Sequence, residues 1–283
     1  MPFPISIVGR STAPVTHDID AAWLASFSRA VGDATDADLG HPLFPVCIEW
    51  PAVTAAARLD DGTLLPDERR RGIHATHDLT IHRLLRAGDA VTTVATVEAL
   101  AARRRGTFQQ LRLDTRDAEG SLVATTVMGS MFIGVAVEGP LPEESAAHDE
   151  PALASEPTPE PAPEPAVPIA IPIAVSVDQA REYSEASRIW NPIHTDATAA
   201  VAAGLTAPIL HGTCTLALAT SAALAWAGID RTTVRRIRVR FAGMVAMPST
   251  IELRVARTSP HELHFDVVDS AGTPVLRDGR VTL

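Results

Sequence analysis

Two periods of hydrophobic residues succeed each other along this chain, and the pair is met twice. Apolar positions first recur at helical spacing, from Ile19 to Val31 and from about Val46 to Arg58. They then alternate with polar ones near His77–Arg83, Ala90–Leu100, Gln109–Thr115 and Leu122–Phe132. A spacing of three to four puts one face of a helix on a core, and a spacing of two does the same for a strand. The second pass predicts helices over Val177–Ser187, Ala197–Ala203 and Thr213–Ala227, then strands near Val234–Phe241, Ser249–Arg254, Glu262–Val268 and Pro274–Val281. Helices followed by a run of strands in each half point to an α+β fold with antiparallel sheet.

The halves also align residue by residue. Phe27-Ser28-Arg29-Ala30-Val31-Gly32-Asp33-Ala34 lines up with Tyr183-Ser184-Glu185-Ala186-Ser187-Arg188-Ile189-Trp190, and Leu79–Asp89 resembles Ile237–Pro248. Such an internal repeat implies a duplicated structural unit. Between the halves, residues 140–172 hold ten prolines. A segment of that composition favours extended polyproline structure and buries no core, so it reads as a tether. The organisation expected is therefore an N-terminal half over 1–137, an acidic Pro/Glu-rich linker over 138–172, and a C-terminal half over 173–283.

Composition narrows the function classes. The chain is 46% hydrophobic but only 4% aromatic, so its core is built from Ala, Val, Leu and Ile. All 24 basic residues are arginine, and the net charge is −10. Eight acidic residues between Glu138 and Glu164 account for most of that charge; without them the rest of the chain carries −2. A nucleic-acid partner wants a clustered basic face, and none is evident. Two cysteines, Cys47 and Cys214, in apolar helical contexts read as buried free thiols. The N-terminus lacks the basic and apolar regions of a signal peptide, and the longest apolar stretch, Leu216 to Ala227, is too short to span a bilayer. A cytoplasmic protein without membrane contact is expected.

The candidate chemistry lies in Arg188-Ile189-Trp190-Asn191-Pro192-Ile193-His194, with Asp196 two residues on and His211-Gly212-Thr213 further along. Asn-Pro presets an extended turn, because the residue before proline avoids the helical region. Asp196 falls at a natural N-cap. A histidine held on such a turn either serves as general acid/base, its ordinary pKa lying near neutrality, or only caps and packs. Gly212 at a helix start lets a ligand approach free N–H groups. Trp190 and Tyr183 either line an acyl pocket or are ordinary aromatics.

The string Asn-Pro-Ile-His-x-Asp followed by His-Gly-Thr resembles the signature of MaoC-like (R)-specific enoyl-thioester hydratases. The resemblance extends over essentially the whole chain outside the linker and is most specific between Tyr183 and Leu218. It implies a double hotdog, in which each half wraps a sheet around a central helix. It implies hydration of an enoyl thioester, or the reverse dehydration, on coenzyme A or an acyl carrier protein, in lipid or polyketide metabolism. His194 would then be the acid/base, Asn191 would orient water or substrate, and His211, Gly212 and Thr213, with Trp190 and Tyr183, would bind the substrate. No metal and no redox cofactor is implied. The fused halves would act as a monomer, already a pseudo-dimer, or as a homodimer.

The motif departs from the family at its head. The family reads Gly-Asp where this chain has Arg188-Ile189, and that Asp shares the proton work with the His. Three readings follow: His194 works alone, a carboxylate from elsewhere substitutes, or the pocket binds a thioester without hydrating it. A repurposed lyase or cyclase is a further variant. Asp33, in the matching position of the N-terminal half, is the candidate substitute, although Ala34-Thr35-Asp36-Ala37 follows it in place of Asn-Pro-x-His. His74, His77, Asp78 and His82 read as loop and strand-surface residues rather than metal ligands, since residues five apart on a strand face opposite sides. Arg103-Arg104-Arg105 before Gly106 reads as a hairpin end. No Gly-x-Ser-x-Gly, Walker or Rossmann string is present.

Overall fold

The alternating segments become strands and the helical ones helices, in a computed structural model that describes residues 2–33, 38–138 and 168–283. The elements run β1 (Val15–Asp18), α1 (Ala21–Ala30), α2 (Pro45–Ala56), α3 (Pro66–Arg69), β2 (Gly72–Ile81), β3 (Ala90–Arg103), β4 (Gly106–Asp117), β5 (Leu122–Ile133), β6 (Ile169–Val175), α4 (Gln179–Ser187), α5 (Ala197–Ala202), α6 (Gly212–Ala227), β7 (Arg236–Phe241), β8 (Ser249–Ser259), β9 (Glu262–Val268) and β10 (Pro274–Thr282). They form two compact units that do not follow chain order. One holds residues 2–17, 48–82 and 90–138; the other holds 18–33, 38–47, 83–89 and 168–283.

In the first unit the strands lie in the order β1-β3-β4-β5-β2. The β2–β5, β3–β4 and β4–β5 pairs are antiparallel. Alternate residues of β3 are buried, as its period of two requires. Ala52 and Ala56 of α2 pack into a core with Ala95, Val97, Leu111, Leu113, Met128 and Phe132. Small residues on the helix let the sheet close around it.

The second unit orders its strands β7-β10-β9-β8-β6. Helix α6 packs on β6, β8 and β9, and its residues Cys214 to Thr220 are buried without interruption. A helix apolar on all sides belongs inside a sheet rather than on a surface. It ends at Gly228, whose φ of 62° is a left-handed conformation that glycine adopts without strain. Helices α1 and α4 pack on each other. Asp20 caps α1, its carboxylate accepting from the Trp23 N–H at 2.7 Å.

Two strands escape the sequence pattern. β1 has four residues, three of them polar, and β6 carries Pro172 inside the stretch read as linker. Both occupy the ends of their strand orders, where a proline without an N–H is tolerated. The rest of the expected linker, 139–167, lies outside the described residues. The expectation of surface histidines fails at His77, which is buried, although His82 is exposed. The pairing of β2 with β5 shifts between His74 and Thr76, so that His74 and His77 share one face with rings 5.5 Å apart. Cys47 and Cys214 are buried free thiols, as their context predicts. No helix among the described residues is long and apolar enough to cross a membrane.

Candidate active site

The motif lies in the second unit, where a 3-10 turn, Pro192–His194, links α4 to α5. Asn191 opens the turn in extended conformation, and its Oδ1 accepts from the Ile193 N–H at 3.4 Å. Asp196 caps α5, accepting from the N–H groups of Thr198 at 2.7 Å and Ala199 at 3.2 Å. The turn is therefore held from both ends, and His194 sits half-buried at its close.

Its ring nitrogens have different tasks. Nδ1–H donates to the Ile209 carbonyl at 2.8 Å, which leaves Nε2 as the acceptor. The His211 ring stacks on His194 with centroids 3.7 Å apart and planes 27° apart. Burial lowers the pKa of His194, against the Ile209 hydrogen bond that raises it. For His211, burial and then the neighbouring imidazole push it down to about 3. Both rings are thus neutral at pH 7, and desolvation is the main cause.

Ser184 and Tyr183, adjacent on α4, fix the base of this pair. Ser184 Oγ is hydrogen-bonded to His211 Nε2 at 3.3 Å. The fully buried Tyr183 donates from its hydroxyl to Thr213 Oγ1 at 3.0 Å, and its ring lies 5.1 Å from that of His211. His211 is itself the N-cap of α6 but makes no side-chain cap. Among the described residues no side chain caps the first-turn N–H groups of Gly212, Thr213 and Cys214, and Gly212 is exposed. A Cβ at Gly212 would stand 3.0 Å from the Phe241 ring, so glycine lets the helix start seat on β7.

Of the residues grouped by the sequence reading, His194 stacks on His211, Tyr183 packs on His211 and bonds to Thr213 beside Gly212, and Asn191 opens the turn that carries His194. Trp190 is different: it is 57% exposed and carries its indole into solvent. Ile189 is 4% exposed, and its N–H donates to Ser187 Oγ at 3.2 Å. Arg188 takes the left-handed conformation, φ 60°, that ends α4. That φ explains why a glycine suits the position. The arginine instead stacks its guanidinium on the Trp23 ring at 3.6 Å.

Asp33 stands apart from this group. Its carboxylate pairs with Arg231 at 2.9 Å, with both side chains largely buried. Beside it His41, pushed down to about 4 by burial, accepts the Leu43 N–H on Nδ1 and so donates from Nε2 to Ser221 Oγ at 3.2 Å. Sequence reasoning did not single out His41 or Ser184, because nothing local marks which polar residue a folded chain will face. It also passed over Glu49 of the first unit, a lone carboxyl in an apolar helix. Burial raises that group to about 7, although Thr126 Oγ1 donates to it at 2.7 Å. Among the described residues no cluster of His, Cys, Asp and Glu has the arrangement of a metal site.

Comparison with known proteins assigns both halves. The profile of the MaoC-like domain matches residues 157–276, and that of the FAS1-like dehydratase domain region matches residues 6–126. The peroxisomal multifunctional enzyme type 2 of Drosophila melanogaster is 34% identical over 109 residues, which are 38% of this chain and 18% of that protein. Among solved structures, a MaoC-like dehydratase from Phytophthora capsici superposes with a TM-score of 0.76 at 22% identity, over 98% of this chain and 96% of the other. A Mycobacterium tuberculosis protein described as a double hotdog superposes at 0.63 and 19% identity, over 97% of this chain and 95% of the other. With a MaoC-like domain matched in its C-terminal half, a FAS1-like dehydratase region in its N-terminal half and a fold of this kind throughout, the chain is built of MaoC-like and FAS1-like dehydratase domains and is an α+β double hotdog.

Proposed function

We propose that this chain adds water across the Cα–Cβ double bond of a trans-2-enoyl thioester, or removes it from a 3-hydroxyacyl thioester. The acyl group is carried on coenzyme A or an acyl carrier protein. The observation that supports this above others is the fixed tautomer of His194 close to an uncapped helix start. With Nδ1–H engaged, Nε2 is the base that moves the proton at the reacting carbons. The thioester oxygen becomes enolate-like as the reaction proceeds, and the N–H groups of the first turn of α6 are the donors that meet it. Asn191 orients water or substrate from the same turn. Tyr183 holds Thr213 in place, and Trp190 offers apolar surface to the acyl group. In this reading Asp33 stays in its ion pair with Arg231. The chemistry is proton transfer throughout, so it calls for no metal or redox cofactor. We assign it to the cytoplasm, as a single chain or a homodimer.

The test is wild type against His194→Ala with a short-chain trans-2-enoyl-CoA, followed by loss of the conjugated thioester's ultraviolet absorbance. Turnover by wild type that disappears in the variant supports the reading. One observation favours a second reading, a thioester-binding module that does not hydrate: the position of the family's Asp is filled by the buried, apolar Ile189. Tight binding of enoyl-CoA without turnover would decide for it.

A further inference from the structure

Hydration asks two things of a site: a base for the proton and a polar group that holds the water. His194 meets the first requirement. Several polar atoms around it are already engaged. Asn191 Oδ1 accepts from the Ile193 N–H, the Asp196 carboxylate caps α5, the Tyr183 hydroxyl donates to Thr213, and His211 Nε2 is bonded to Ser184. Ile189, buried at the position where the family motif has its Asp, supplies no carboxylate. Among the described residues of this unit, no carboxylate hydrogen-bonds or ion-pairs with His194 or His211.

A single base of fixed tautomer, next to donors for an enolate oxygen, also suits a second reaction, beside the proposed hydration, that needs no water. We infer that this site migrates the double bond of an enoyl thioester, converting the 3-enoyl to the conjugated 2-enoyl isomer. The inference rests on the reading of His194 and the α6 start as the thioester site. His194 Nε2 takes a proton from Cα, which lies between the carbonyl and the double bond and is acidic for that reason. The Cα–H bond breaks and its electron pair enters a dienolate, whose oxygen the N–H groups of Gly212 to Cys214 stabilise. The imidazolium then returns the proton to Cγ on the same face. A Cγ–H bond forms, the double bond moves from Cβ=Cγ to Cα=Cβ, and the histidine is again neutral. Nothing is oxidised or reduced and no water enters.

The pKa shifts agree with this assignment. A His194 kept neutral by burial is free to take the first proton, and the stacked, neutral His211 does not repel the imidazolium that follows.

The experiment supplies trans-3-hexenoyl-CoA and, separately, trans-2-hexenoyl-CoA, and quantifies 3-enoyl, 2-enoyl and 3-hydroxyacyl species by chromatography. Wild type is expected to convert the 3-enoyl substrate, and His194→Asn to lose that conversion by at least about 100-fold. Asn is close to His in size and offers an amide N–H to the Ile209 carbonyl, so the variant keeps the turn while losing the base; circular dichroism verifies its fold. Ile189→Asp is expected to shift the product ratio toward the 3-hydroxyacyl thioester. Hydration of the 2-enoyl substrate by wild type with no conversion of the 3-enoyl one would overturn this inference and leave the proposed function standing. Inertness toward both substrates would overturn both. Conversion undiminished in His194→Asn would remove His194 from the chemistry.

Discussion

The second unit contains the same constellation twice, once intact in its carboxylate and once without it. Phe27 and Tyr183, matched in the sequence repeat, each pack on a histidine that precedes a helix: Phe27 on His41 with centroids 5.8 Å apart, Tyr183 on His211 at 5.1 Å. The helices that carry them bond reciprocally. Trp23 Nε1–H donates to the Ala186 carbonyl at 2.9 Å, and the matching Gln179 Nε2–H donates to the matching Ala30 carbonyl at 2.8 Å. Residues bonded in this exchanged fashion are the mark of a two-fold relation. The two copies have diverged in opposite directions. The first kept the acid, Asp33, and joined it to Arg231, so its charge is spent on structure. The second has Ile189 in the matching place and carries His194, half-buried, whose Nε2 makes no hydrogen bond among the described residues. The lesson is that a residue type in the right sequence position says little until its partner is known.

The largest effect that sharpens this contrast is on rate. His194→Ala should lower turnover of an enoyl-CoA by about 100- to 10,000-fold while shifting stability by only about 1 kcal/mol. Steady-state kinetics beside a thermal melt measure both, and a variant that instead unfolds would make His194 structural.

Asp33→Ala should do the reverse. It removes the carboxylate from a guanidinium that is 8% exposed and costs roughly 3 kcal/mol of stability, read as a fall in Tm. Replacing both partners, Asp33→Ala with Arg231→Met, should recover most of that loss; an equally unstable double variant would show that the pair is not coupled.

The third contrast is in pH. His41 has its folded pKa depressed from 6.5 to about 4, so its contribution is complete above pH 6.5 and is lost as pH falls through 4. That loss amounts to roughly 3 kcal/mol over the window. Urea midpoints between pH 7 and pH 4 should fall for wild type and fall less steeply for His41→Leu. His194 is also depressed, so the acid limb of kcat/KM should lie below the ordinary histidine value. A limb at or above pH 6.5 would contradict its burial.

The smallest effect is expected at Tyr183→Phe, which makes the second copy resemble the first. Losing the hydroxyl bonded to Thr213 should cost about 1 kcal/mol of stability. It should lower kcat more than it raises KM, because the donors it positions act on the enolate. A change in KM alone would place Tyr183 in binding only.

How far the sequence foretold all this depends on the range of the forces involved. The strands around Val94 and Leu111 were plain because alternation is a local property that the sheet only ratifies. Helix α6 was plain for the same reason. Strand β6 was not, since Pro172 argues against a strand and only pairing with β8 makes one. In the site, Asn191, His194 and Asp196 were readable because a turn and its caps are decided within a few residues. The stacking of His211 on His194, the Ser184 bond and the Ile209 carbonyl depend on where α6 and α4 meet. No spacing in the sequence encodes that distance. The burial of His77 likewise follows from a one-residue slip in a pairing, which leaves no trace in composition.

The division of the chain into units has a consequence for anyone who cuts it. The proline-rich stretch invites cleavage into two pieces, yet residues 18–33, 38–47 and 83–89 belong with the motif-bearing unit, not with the sequence that surrounds them. A fragment beginning at residue 168 would lack α1, and with it the indole under Arg188 and the carbonyl that receives Gln179. Covalent order and physical membership are separate here, so the natural place to divide the gene is not a place to divide the protein.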